Sequence, residues 1–242
     1  MSAAALLRVE GLTRHFGGIA AVTDFDCELY PSEILGLIGP NGAGKSTTFN
    51  LLSGFLRAHA GKIWFEDGRI DGLKPAAIGR LGLVRTFQHN SLFRTLSVLD
   101  NVIVGATIST TTPRERLKLA KDTLEVFGLT GFADELAGSL PHGRQRLLSM
   151  AIAFATRPKL LCLDEPLTGL NQPETTNVLA IIRQLRDQRS TSILFVEHNV
   201  RAVMDLCDRI VVLDQGRKLA EGIPADIRRD QAVIRAYLGD AE

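Results

Sequence analysis

The chain is poor in cysteine, has no excess of charge of either sign, and contains no apolar run long enough to cross a bilayer. Only three cysteines, Cys27, Cys162 and Cys207, occur in 242 residues, far apart and without CxxC spacing. That excludes a disulfide-stapled scaffold and a cysteine zinc site, and it points to a reducing compartment. Lys plus Arg number 28 against 27 Asp plus Glu, a net +1. A protein built to grip a phosphate backbone carries a basic excess, so nucleic acid is not expected as a partner. The longest apolar candidate, Leu147 to Ala155, is broken by Ser149 and falls far short of the ~18 residues of a spanning helix. Met1 to Leu7 is apolar but has no basic lead and stops at Arg8 and Glu10, which is not the layout of a secretory leader. The expectation is a cytosolic chain that meets membranes only through partners. No internal repeat or low-complexity tract is present.

What the chain has is an ordinary globular balance, 45% hydrophobic and 23% charged, enough for one large core without staples. Short apolar segments alternate with helical ones. Ile34 to Ile38, Gly82 to Val84, Leu160 to Leu163, Ser192 to Val196 and Ile210 to Leu213 read as strands covered on both faces. Lys45 to Ser53, Pro173 to Gln188 and Val200 to Cys207 read as helices. This alternation predicts a doubly wound α/β fold. Leu7 to Tyr30 reads as paired strands, an antiparallel flap at one edge. About Asn90 to Thr156 reads as an inserted helical region, with Pro113 a helix start and Gly128, Gly131 and Gly138 as breaks. Ala225 to Leu238 reads as two short helices.

After the strand Ile34 to Ile38 comes Gly39-Pro40-Asn41-Gly42-Ala43-Gly44-Lys45-Ser46-Thr47. It fits GxxxxGK[ST] and lies between a strand and a helix, where a phosphate loop must lie. The glycines let successive N–H groups turn inward, and the helix directs its positive end at the same point. Lys45 supplies a cation for terminal phosphates, and Ser46 a hydroxyl for Mg²⁺. A second apolar strand ends in Asp164-Glu165-Pro166, placing two carboxylates at the carboxyl edge of the sheet, where such folds bind ligands. Asp164 is the candidate Mg²⁺ ligand and Glu165 the general base toward water. His198, after the strand Ser192 to Val196 and Glu197, shares that edge as a γ-phosphate sensor. Gln88 is a candidate ligand for Mg²⁺ or its water. His15, His59 and His89 have no such placement and are expected at the surface.

These motifs, in this order, resemble the ATP-binding subunits of ABC transporters over nearly the whole chain. The resemblance implies a P-loop NTPase core with an antiparallel β edge subdomain and an inserted α-helical subdomain. It divides the single domain 1–242 into a core and β part, about 1–89 and 157–242, and a helical part, about 90–156. It implies ATP with Mg²⁺ as cofactors, and Phe16, before Gly17-Gly18, as the aromatic that stacks on adenine. Gly39 to Thr47 matches Walker A, Gln88 the glutamine loop, Asp164-Glu165 Walker B, and His198 the switch histidine. Gly169-Leu170-Asn171 follows Walker B, with Asn171 where many members carry Asp. Leu140-Pro141-His142-Gly143-Arg144 falls on the signature that closes a partner's ATP site. It departs from the family pattern: Pro141, in the Ser position, has neither hydroxyl nor N–H. Arg144 could face phosphate or merely solvent. Ile152 stands where the following helix usually carries Arg.

The stretches GLIGPNGAGKSTTFNLLSGF and CDRIVVLDQGRKLAEGIPADI are similar to the branched-chain amino-acid importer subfamily, whose relatives handle urea and short amides. That implies transmembrane permease subunits, an external solute-binding protein and a second ATPase subunit, a heterodimer being favoured over a homodimer. It places the chain on the inner face of the cell membrane, with Leu92 and Phe93 as candidate contacts for a membrane subunit. The competing readings are a soluble ABC ATPase acting on nucleic acid, a weakly hydrolysing regulatory subunit, and a P-loop GTPase or kinase. No Asn-Lys-x-Asp guanine motif is present to support the last.

Overall fold

In a computed structural model, residues 4–86 and 92–238 are described. A six-stranded sheet is built from β3 (Ile34–Ile38), β6 (Leu83–Arg85), β7 (Leu160–Asp164), β8 (Ser192–Val196), β9 (Arg209–Asp214) and β10 (Arg217–Gly222), in the order β10-β9-β3-β8-β7-β6. Five of these strands are parallel, and β10 closes the edge antiparallel to β9. A four-stranded antiparallel sheet, β2 (Ile19–Leu29), β1 (Leu7–Phe16), β4 (Ala60–Phe65) and β5 (Gly68–Arg69), lies beside it in that order.

The central strands are apolar throughout because each of their faces meets a different core. Ile34 and Ile38 of β3, with Leu161 and Leu163 of β7, pack into the core shared with the helical layer. Leu35, Leu37, Leu160 and Cys162 face the opposite core, shared with the antiparallel sheet and α1 (Lys45–Leu52). Alternation along each strand thus serves two hydrophobic layers rather than one layer and water.

The helices are α2 (Pro75–Leu81), α3 (Val98–Ala106), α4 (Pro113–Val126), α5 (His142–Ala155), α6 (Gln172–Arg189), α7 (Val200–Leu206), α8 (Pro224–Ile227) and α9 (Gln231–Leu238). α3, α4 and α5 lie in sequence between β6 and β7 and pack on one another. Pro113 stands at the first turn of α4, after the Thr112 cap. Gly128 takes φ +64 just past the end of α4, and Gly131 and Gly138 fall in single 3₁₀ turns. The close approach of α3 to α5 depends on Gly105, where a Cβ would stand 2.3 Å from the Ile152 carbonyl oxygen.

The strands and helices read from the sequence recur with ends displaced by a residue or two; Gly82, for example, precedes the strand Leu83–Arg85. The hairpin β4–β5, helix α2 and strand β10 are additional to that reading. Among the described residues no helix is long and apolar enough to cross a membrane.

Candidate functional site

Because β3, β7 and β8 run parallel and in register, their carboxyl ends deliver three chemically loaded segments to one edge. Asp164 pairs with Val196 in the ladder. Glu165 and Glu197-His198 therefore emerge side by side, next to the loop that leaves β3 at Ile38. A cavity of about 570 Å³ lies here, lined by the loop Asn41 to Thr47, by Glu165 and His198, and by Ile19, Ala20 and Ala21 of the antiparallel sheet.

The loop is held from three sides. Gly44 adopts φ +105, and a Cβ there would lie 2.4 Å from the Ala21 carbonyl oxygen, so both conformation and space require glycine. The Gly216 N–H donates to the Ala43 carbonyl, and the Gly216 carbonyl accepts from the Thr23 N–H, at 3.0 and 2.7 Å. Lys45 is 6% exposed, and its Nζ donates to the Gly39 and Pro40 carbonyls at 2.7 and 2.9 Å. Burial pushes its pKa down, while Glu165 and Asp164 oppose that shift. Helix α1 begins at Lys45 with no side-chain cap on its free N–H groups. α3, α4, α6 and α7 are capped by Ser97, Thr112, Asn171 and Asn199. An uncapped amino end facing a cavity is a site for an anion.

The two adjacent acids have different environments. Asp164 is 2% exposed. Its Oδ2 accepts from Arg85 at 2.7 Å, and Arg85 also donates to Asn50 Oδ1 at 2.7 Å. Asp164 Oδ1 is buried without a hydrogen-bond partner among the described residues. A buried carboxylate oxygen left open fits a hard divalent cation or its water, and the Ser46 hydroxyl in the cavity offers a second oxygen. Glu165 faces the cavity in a left-handed backbone conformation, φ +48. Its Oε1 lies 2.7 Å from His198 Nε2.

Two buried charges behind this pair are absent from the sequence reading. Glu197, 3% exposed, accepts from the Leu167 N–H at 2.6 Å and the His198 N–H at 3.1 Å. It thereby ties the loop after β7 to the loop after β8. Burial raises its pKa, against the pull of these N–H groups. Arg146 of α5, 5% exposed, faces the field of Glu197, Glu165 and Asp164, while burial lowers its pKa. Arg85 is likewise new, and its signal was a lone cation closing a short apolar strand.

The remaining expected residues distribute as follows. Phe16 is 44% exposed, with the Arg14 guanidinium over its ring at 4.9 Å. It pairs with Ile19 across the hairpin, and Ile19 rather than Phe16 lines the cavity. Leu140 is buried, whereas Pro141, His142 and Arg144 are exposed at the amino end of α5. Arg144 covers the Phe132 ring at 3.8 Å. Gly143 abuts Glu174, whose carboxylate a Cβ would strike at 2.3 Å. Glu174 and Asn171 form a capping box at the start of α6, so Asn171 is occupied in ending the loop that contains Gly169 and Leu170. Phe93 is exposed, and Leu92 packs partly on the core. His59 is exposed, and His15 stacks on it at 5.8 Å. Gln88 and His89 lie outside the described residues.

Comparison with known proteins identifies the family and the fold. The ABC transporter family matches residues 22–168, and the branched-chain amino acid ATP-binding cassette transporter family matches residues 217–242. The chain is 44% identical to the high-affinity branched-chain amino acid transport ATP-binding protein LivG of Escherichia coli (strain K12), over 98% of each chain. It is 40% identical to BraF of Pseudomonas aeruginosa, of the same description, again over 98% of each. Among solved structures, a nucleotide-free ATP-binding cassette from an ABC transporter superposes with a TM-score of 0.88 at 27% identity, covering 98% of this chain and 100% of that one.

Proposed function

Since the chain belongs to the ABC transporter ATP-binding family, we propose that it is the ATP-hydrolysing subunit of an importer for branched-chain or related amino acids. The observation that carries this reading is the convergence of Lys45, Ser46, Glu165 and His198 on one cavity. The short C-terminal match and the whole-length similarity to LivG and BraF support the cargo class.

In this reading the Gly39 to Thr47 backbone and the amino end of α1 cradle the phosphates, and Lys45 neutralises charge on the terminal ones. Phe16 and the neighbouring Ile19 meet the base. Ser46 and Asp164, with Gln88, would hold Mg²⁺, which when bound spreads the negative charge of the phosphates. Glu165 takes the proton of the attacking water, and His198 orients both Glu165 and the γ-phosphate. Catalysis is positioning and electrostatics, with little covalent chemistry for the protein to perform.

The uncapped amino end of α5, with Pro141, His142, Gly143 and Arg144, faces the nucleotide of a second ATPase subunit. Pro141 removes a hydroxyl and an N–H from that contact, which favours a heterodimer with a subunit of more regular signature. Permease subunits meet the surface around Leu92 and Phe93, and the assembly sits on the inner face of the membrane.

The test is Glu165→Gln. ATP hydrolysis by the assembled transporter should fall by about 10²–10⁴-fold, the range for loss of a general base, with Mg-ATP binding retained. In size exclusion with light scattering, Mg-ATP should drive the variant into a dimer only when the partner ATPase is added. A stable nucleotide-dependent dimer of this chain alone would overturn the heterodimer. Undiminished hydrolysis would remove Glu165 from its role.

A further inference from the structure

A second cavity, of about 320 Å³, opens at the other end of the parallel strands. It lies beside Pro158, which precedes β7, and Thr191, which precedes β8, and so it is remote from the phosphate loop. One wall is α4, the other the carboxyl end of α6. Its volume lies in the range of small-molecule sites.

The lining is amphipathic in a specific way. Leu119, Val126 and Phe154 form an apolar patch. The exposed Arg157 and Arg189 complete the lining with two cations. The nearby Arg186 is engaged by Asp187 and Asp208, and Arg183 by the Asp205 carbonyl. The guanidinium groups of Arg157 and Arg189 have no ion-pair or hydrogen-bond partner among the described residues. A single carboxylate, Asp122, precedes Thr123 in the lining, and the exposed Lys118 donates to it at 2.7 Å. Thr123 is 1% exposed, and its Oγ1 is buried with no hydrogen-bond partner among the described residues. An unsatisfied buried hydroxyl in the wall of a cavity marks a place where a polar group is accepted.

We propose that this cavity binds a free aliphatic α-amino acid. Its carboxylate meets Arg157 and Arg189, a planar fork matched to two oxygens. Its ammonium donates to Asp122 and Thr123 Oγ1. Its side chain packs on Leu119, Val126 and Phe154. Occupancy braces α4 against the end of α6, and hence the helical layer against the sheet.

The test is calorimetric titration of the full chain with L-leucine, glycine, 4-methylpentanoate and isopentylamine, with Mg-ATP binding measured on the same samples. Leucine should bind saturably at one site. Each of the other three lacks one recognised group and should bind at least about tenfold more weakly, the scale of one charged hydrogen bond. Arg157→Gln with Arg189→Gln should weaken leucine by a similar factor and leave Mg-ATP affinity unchanged. Thr123→Val, of equal volume, should weaken leucine several-fold but not 4-methylpentanoate. The comparison among ligands on the unaltered chain stands even if a variant fails to fold. No saturable leucine binding by a chain that binds Mg-ATP overturns the proposal. So does 4-methylpentanoate binding as tightly as leucine, or leucine affinity indifferent to the arginines.

Discussion

Asp164 is held through one oxygen and left open at the other, and Arg85 sets that asymmetry. Arg85→Ala would strand a carboxylate that is 2% exposed. The expected cost is about 3–5 kcal/mol, the usual penalty for halving a buried ion pair, read as a lower urea midpoint. Arg85→Lys should recover only part of it, because one ammonium cannot reach Asn50 and Asp164 as the guanidinium fork does. Glu197 makes a different prediction. Its folded pKa is raised from the ordinary 4.5, so its stabilising contribution is present below that value and is lost as pH rises through the folded one. Wild type should therefore lose stability relative to Glu197→Gln as pH climbs out of the ordinary carboxylate range, by unfolding measured across pH. The acids Asp164 and Glu165 were legible because each closes an uninterrupted apolar strand. Arg85, Glu197 and Arg146 were not, since their meaning comes from partners brought near only by folding; Asp164 is 79 residues from Arg85.

At the scale of the element, among the described residues α3, α4, α6 and α7 carry side-chain caps, while α1, α2, α5 and α8 carry none; of the uncapped ends, those of α1 and α5 belong to the nucleotide sites proposed here. Packing of α3 on α5 turns on Gly105. Gly105→Ala forces a methyl onto the Ile152 carbonyl and should cost about 1–3 kcal/mol as overpacking, seen as a lower thermal midpoint. The long helices and buried strands were readable because their periodicity is strong. β10 was missed since its residues, Arg217 to Gly222, are half-exposed and mostly polar. β5 was missed because two residues carry no period. α2 has only Ile78 buried.

For the whole molecule, the three cysteines report on cooperative opening. Cys27 and Cys162 are buried and their thiols pushed up to about 12, and burial drives Cys207 up as well. Thiolate is the reactive form, so iodoacetamide should label none of them at neutral pH until the chain opens. Mg-ATP at a hundred times its dissociation constant stabilises the folded state by about 2.7 kcal/mol and should slow labelling correspondingly. Mass spectrometry of quenched samples checks this, and rapid labelling of the native chain would contradict the burial. Cys27 and Cys162 sit in one core and Cys207 in the other, so a matched rate at all three sites means that both layers yield together.

Gly216 has a consequence in time. A chain synthesised from its amino end makes β3, the phosphate loop and α1 early, and domains fold as their residues emerge. Yet the backbone hydrogen bonds that fasten Ala43 and Thr23 come from Gly216, in the turn between β9 and β10. Contacts so distant along the chain close late. The phosphate loop is therefore fully fastened only once the turn after β9 has been made, and a nascent copy that stops short of Gly216 lacks both bonds.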